Sequence, residues 1–155
     1  VPRSGIATLI DVRRFPGSRR HPWFGRDALA ESLHAAGIAY AHFVNLGGRR
    51  DPAPDSINTA WRISAFRGYA DYMETPQFHQ ALVAALARKP PLVFMCAEAL
   101  WWQCHRGLIS DYLTAGGIEV RHLGDSGEPM IHRGTSPAVI TPGSLSYSPP
   151  QGDLL

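Results

Sequence analysis

Leu92-Val-Phe-Met-Cys96-Ala-Glu98-Ala-Leu-Trp101-Trp102-Gln-Cys104-His105-Arg106-Gly-Leu-Ile-Ser-Asp-Tyr-Leu113 is the stretch on which the fold turns. The apolar run from Leu92 stops at Cys96 and Glu98, and Cys104-His105-Arg106 then opens the spacing Leu108, Ile109, Tyr112, Leu113. This predicts a buried strand over Leu92–Cys96, a loop, and a helix over 104–115 closed by Gly116-Gly117. In open α/β sheets ligands gather beyond the carboxyl ends of the strands, which is where Glu98 and the Cys-His-Arg triplet fall. A cation at a helix N-terminus is also a natural anion site.

The same alternation extends in both directions. Ile6–Val12 reads as a first strand, Arg26–Ala36 as a helix stopped by Gly37, and Ile38–Val44 as a second strand closed by Leu46-Gly47-Gly48. Residues 49–58 form a Pro/Asp-rich loop, followed by helices over Trp61–Met73 and Pro76–Ala87. Ile118–Leu123 reads as a strand, Asp125-Ser-Gly127 as a turn, and Met130–His132 as an antiparallel edge strand. Strands alternating with helices predict a compact three-layer α/β domain over 1–133, with a mainly parallel sheet and helices on both faces. Residues 134–155 are Pro-, Gly- and Ser-rich and read as an extended tail.

Length and composition bound the class. The chain has 155 residues, of which 45% are hydrophobic, enough for one domain with its own core. No apolar run is long enough to span a bilayer, so the expectation is a soluble, cytoplasmic protein without a membrane partner. Two cysteines outside any CxxC pair suit a reducing compartment. The net charge is only +2, but residues 1–50 hold eight arginines against Asp11, Asp27 and Glu31. That asymmetry predicts a basic face, and arginine favours bidentate contact with phosphate.

Each cluster of chemical groups has a functional and a structural reading. Asp11 ends the first strand, where a carboxylate serves as a base or nucleophile, or else pairs with an arginine to hold the loop. Arg13, Arg14, Arg19, Arg20 and Arg26 are interleaved with Trp23 and Phe24, a pattern that grips bases and phosphates or simply solvates a surface. Glu98 is the leading catalytic carboxylate, its structural alternative being an ion pair with Arg106 or Arg13. Cys96, Cys104 and His105, with His122, raise a metal site, and Cys104 a thiol nucleophile, but the spacing fits no common zinc pattern, so no metal and no cofactor are expected. Trp101 and Trp102 read as a pocket wall or as packing over a sheet edge, and Gly47-Gly48 as a tight turn bringing backbone near a ligand.

A set of these motifs resembles a known family. They are Asp11-Val-Arg13 with Phe15-Pro16 and Ser18; Gly37-Ile38-x-Tyr40-x-His42 with Leu46-Gly47-Gly48; Tyr69-Ala70 with Met73; Cys96-Ala97-Glu98 followed by Cys104-His105-Arg106; and His122 with Gly127 and His132. Together they resemble the bacterial and archaeal domain of unknown function 488 family over most of residues 6–133. The family pattern usually opens with a short strand and a Gly-His segment before Ile6, which residues 1–5 do not carry, and Trp101-Trp102 replaces more polar residues. The resemblance implies an α/β fold with a site clustered on these motifs, and it assigns no activity.

The expected site therefore comprises Asp11 and Glu98 as carboxylates, with Arg13, Arg14, Arg19, Arg20, Arg106 and His105 for phosphate or nucleic acid. Trp23, Phe24, Tyr40, Trp101, Trp102 and Cys104 would form the pocket. Carboxylates, aromatics and cations are the parts required to hydrolyse an N-glycosidic bond, as in base excision, with DNA the favoured partner. The alternatives are a non-catalytic nucleic-acid or nucleotide-binding module, and a thiol or metal enzyme centred on Cys104 and His105.

Overall fold

The computed structural model describes residues 5–17, 20–125 and 127–148. It divides into two units: one comprises 1–48 and 75–97, the other 49–74 and 98–155.

The first unit is built on three parallel strands, β1 (Thr8–Asp11), β2 (Ala39–His42) and β3 (Leu92–Met95), in the order β2-β1-β3. Asp11 pairs in register with His42 on one side and Met95 on the other. The central strand is the buried one, with Thr8, Ile10 and Asp11 essentially inaccessible. β3 is only half-buried at every position. The unbroken apolar run predicted a buried strand, but Leu92–Met95 lies at the sheet edge, where among the described residues one side has no neighbouring strand.

Helix α1 (Arg26–Ala35) returns the chain from β1 to β2. It ends where the sequence predicts, because Gly37 takes φ +78° and Ile38 N–H reaches the Leu33 carbonyl at 2.9 Å. The chain passes helix α2 (Ser64–Tyr72) before helix α3 (Pro76–Leu86) returns it to β3. Pro76 occupies the first turn of α3, and the Thr75 side chain accepts from Phe78 N–H at 3.3 Å as its N-cap. Phe78, Ala81, Leu82 and Ala85 recur at helical spacing and are buried in this unit's core with Ile10, Val12 and Leu46. A side chain the size of Phe78 contributes roughly 1.5–3 kcal/mol by leaving water.

In the second unit, helix α4 (Arg106–Ala115) follows α2 in chain order, and the two pack on each other. Gly117 at φ +86° and a 2.9 Å bond from Ile118 N–H to the Leu113 carbonyl end α4 as Gly37 ends α1. Gly68 in α2 makes room for the loop before it: a Cβ there would stand 2.0 Å from the Arg50 carbonyl oxygen. Asp71 holds the same loop, accepting from Ala53 N–H at 2.9 Å, Ser56 Oγ at 2.6 Å and Asn58 Nδ2 at 2.7 Å.

The segments after α4 differ from expectation in extent. Strand β4 (Arg121–His122) pairs antiparallel with β5 (Met130–Ile131) as its own two-stranded sheet. Residues read as an extended tail contain a hairpin, β6 (Val139–Thr141) with β7 (Ser144–Ser146), whose turn includes Gly143 at φ +73°. Tyr147 after it is buried against Trp61, ring centroids 5.7 Å apart. Few apolar residues are needed to anchor a hairpin when one aromatic takes most of the burial. Among the described residues no helix is long and apolar enough to cross a membrane.

Candidate functional site

In the first unit the strand end is occupied by a closed ion pair. Asp11 Oδ1 accepts from Arg13 N–H at 3.0 Å and Arg13 Nε at 2.9 Å, and Oδ2 from Arg13 Nη2 at 2.7 Å. The Tyr40 hydroxyl makes a short bond to the same Oδ2. Asp11 is 0% exposed and Arg13 only 7%. Burial pushes the Asp11 carboxyl up, but hydrogen bonds from Arg13 and Tyr40 outweigh it and hold it below the ordinary range. Burial, then the same carboxylate, lifts the Tyr40 phenol to about 12. A carboxylate with four donors and a lowered pKa is a weak base and is shielded from water. Arg13 likewise turns inward, its Nη1 donating to the Phe24 carbonyl at 2.7 Å rather than facing a phosphate.

That last bond fixes the exposed part of the unit. Pro22–Phe24 forms a single 3-10 turn, and Arg26 N–H bonds the Pro16 carbonyl at 3.0 Å, drawing residues 14–17 and 21–26 together. Phe15 (64% exposed), Trp23 (59%) and Phe24 (43%) face solvent. The Arg14 guanidinium lies 5.7 Å from the Phe15 ring centroid, and His21 stands edge-on to Trp23 at 5.1 Å. Arg20 and Arg26 are exposed, and Arg19 and Ser18 lie outside the described residues. Gly47 permits the close approach of Arg14, since a Cβ on it would meet Arg14 Cβ at 2.7 Å.

In the second unit Glu98 is exposed, and Arg106 Nη2 donates to its backbone carbonyl at 2.6 Å. Arg106 is half-buried at the first position of α4, and its Nε has no hydrogen-bond partner among the described residues. Burial lowers its pKa, with the Glu98 charge opposing. Both cysteines are disulfide-bonded. This corrects the expectation of reduced thiols and of a Cys104 nucleophile, because a disulfide sulfur has no thiolate to offer. Sequence spacing could not reveal it, since a disulfide depends on Cα atoms standing within about 7 Å. His105 packs against Tyr69 at 4.9 Å, with its Nδ1 3.5 Å from Cys104 Sγ.

One turn further along α4 lies a cluster that joins Trp101, His122 and His132, all named from the sequence, to Asp111, Thr135 and Tyr147, which sequence reading missed. Asp111, fully buried, accepts at Oδ1 from His132 Nε2 at 2.7 Å and Thr135 N–H at 2.8 Å. Its Oδ2 accepts from the Thr135 and Tyr147 hydroxyls. His132 Nδ1 lies 2.8 Å from His122 Nε2. His122 stacks flat on Trp101, with centroids 4.3 Å apart and planes 6° apart, and His132 meets the same indole edge-on at 5.0 Å. Gly107 lets this assembly sit on the first turn of α4, its ideal Cβ position being 3.1 Å from Thr135 Cγ2 and 3.3 Å from the Trp101 carbonyl oxygen. Burial first, then the charges of His132 and Arg106, pull the His122 imidazole down to about 4. Trp102 is exposed and edge-on to Trp101 at 5.6 Å. A signal was present: Asp111 falls on the apolar stripe of α4 with Leu108 and Ala115, where an acid must be paired.

Among the described residues no group of three or more His, Cys, Asp or Glu side chains is placed to hold a metal ion. No curated protein and no solved structure matches the chain. Residues 1–113 match the family model described as Domain of unknown function DUF488, so the chain belongs to that family.

Proposed function

We propose that this protein processes nucleic acid or nucleotides by hydrolysing an N-glycosidic bond, with DNA as the favoured substrate. The observation that carries the reading is the solvent-facing aromatic and basic surface of the first unit: Phe15, Trp23 and Phe24 with Arg14, Arg20 and Arg26. Exposed rings stack on bases whatever the sequence, and arginines neutralise the phosphates between them. The inward Asp11–Arg13 pair supports this surface through the Phe24 carbonyl. The charge needed opposite an oxocarbenium-like centre is assigned to Glu98, beside Trp101, Trp102 and Arg106 in sequence.

A second reading, a non-catalytic nucleic-acid-binding module, is favoured by one observation: Asp11 is saturated by four donors, which leaves it a weak base. One pair of measurements tests both. Labelled single-stranded DNA should bind at low salt with a log–log salt slope that falls by about one for each arginine contact removed. Arg20→Ala with Trp23→Ala should weaken it. Base release from duplexes carrying damaged or modified bases should be lost in Glu98→Gln at unchanged melting temperature. Binding without base release favours the module, and absence of binding at low salt removes nucleic acid altogether.

A further inference from the structure

We propose that His122 is the base of a hydrolytic site in the second unit, served by a proton relay through His132 to Asp111, with Arg106 reading an oxyanion on the substrate. The inference deepens the hydrolase reading and rests on it for the bond cleaved.

The acceptors fix the direction of the relay. Asp111 can only accept, so His132 Nε2 carries a proton toward it. With one proton per ring, His132 Nδ1 is then an acceptor, and His122 Nε2–H donates to it. That leaves the His122 Nδ1 lone pair unprotonated. This nitrogen has no hydrogen-bond partner among the described residues and is not among the buried unsatisfied atoms, so it faces accessible space. Thr135 and Tyr147 fill the other lone pairs of Asp111, so its carboxylate has one orientation and the two rings inherit it. Trp101 clamps both imidazoles while its carbonyl oxygen lies against the first turn of α4, the turn that begins with Arg106.

This arrangement separates a relay from a structural network. A purely structural Asp–His pair needs no second histidine ending in a bare nitrogen. The cation is likewise under-used: among the described residues the Arg106 guanidinium donates to one carbonyl, and its buried Nε has no hydrogen-bond partner. In the proposed step a water oxygen bonds to the anomeric carbon while its proton goes to His122 Nδ1. His122 Nε2–H passes its proton to His132 Nδ1, whose positive charge then lies against Asp111. The C–N bond breaks, its electron pair leaves on the base nitrogen, and the proton returns through His122 to that nitrogen. An imidazole held near 4 retains a proton poorly, and handing it inward answers that weakness.

Alkylation tests the site without knowledge of the substrate. The full chain would be treated with iodoacetate, an anion, and separately with iodoacetamide, its neutral analogue, and mapped by peptide mass spectrometry. Histidine Nδ1 displaces iodide and gains a carboxymethyl group, and the disulfide-bonded cysteines do not compete. The expected result is preferential modification of His122, about tenfold faster with iodoacetate because the Arg106 charge concentrates the anion there. Arg106→Gln should bring the two rates together, and nitrogen NMR of the imidazoles should show His122 with its proton on Nε2. Modification of the exposed His21, His34 and His79 at the same rate as His122, a preference that survives Arg106→Gln, or a proton on His122 Nδ1 would overturn the proposal. Selective alkylation with no base release keeps the relay and discards the N-glycosidic substrate.

Discussion

His132 Nε2 lies 2.7 Å from Asp111 Oδ1, and neither side chain has any contact with solvent. The ring belongs to the segment after β5 and the carboxylate to the middle of α4, so the bond ties the two together. Thr135 and Tyr147 converge on the same carboxylate from further along the chain, which makes Asp111 the polar centre of its unit.

Asp111→Ala should therefore cost about 3–5 kcal/mol, because it strands several buried donors at once. Tyr147→Phe removes one hydroxyl and should cost only about 1 kcal/mol. Urea unfolding monitored by tryptophan fluorescence checks both. A loss below 1 kcal/mol in Asp111→Ala would contradict a buried network.

The Asp11–Arg13 pair should show strong coupling. Asp11→Ala leaves a buried guanidinium without its carboxylate, an expected loss of about 3–5 kcal/mol, whereas Asp11→Leu with Arg13→Met should recover most of it. A double-mutant cycle measures this directly. Additive single losses would mean that the two side chains do not depend on each other.

Stability should fall with acid in two windows. His122 is held near 4, below its ordinary 6.5, so the unfolded chain takes up the proton first. Its contribution is complete above pH 6.5 and is lost as the pH falls toward 4. Asp11 and Asp71 are held below 3.8, so their contribution is present above that value and is lost as the pH falls further. A melting-temperature profile should show both steps, and His122→Gln should flatten only the upper one.

Gly68→Ala should destabilise by about 3 kcal/mol, since the new methyl would stand 2.0 Å from the Arg50 carbonyl oxygen and backbone must move. Gly124→Ala, where an added Cβ meets nothing within 4 Å, should change stability by less than about 0.5 kcal/mol. Chemical denaturation of the two variants side by side separates close approach from a general cost of replacing glycine.

What the sequence could determine was local. Apolar runs placed the strands at Thr8–Asp11, Ala39–His42 and Leu92–Met95 to within a few residues, and Gly37, Pro76 and Gly117 marked helix ends correctly. These features follow from φ preferences, missing donors and side-chain period, which act over one or two turns of chain. Polar partnership is different. Whether Asp11 was a base or a closed ion pair depended on Tyr40 reaching it from the neighbouring strand, 29 residues on. The position of Asp111 on the apolar stripe of α4 called for partners without naming them, and His132, Thr135 and Tyr147, 21 to 36 residues later, close on its carboxylate. The anchoring of the 139–146 hairpin was decided at longer range still, by Tyr147 packing on Trp61. Burying a charge is prohibitive unless donors arrive from elsewhere in the fold, so only the tertiary structure could decide which carboxylate each donor serves.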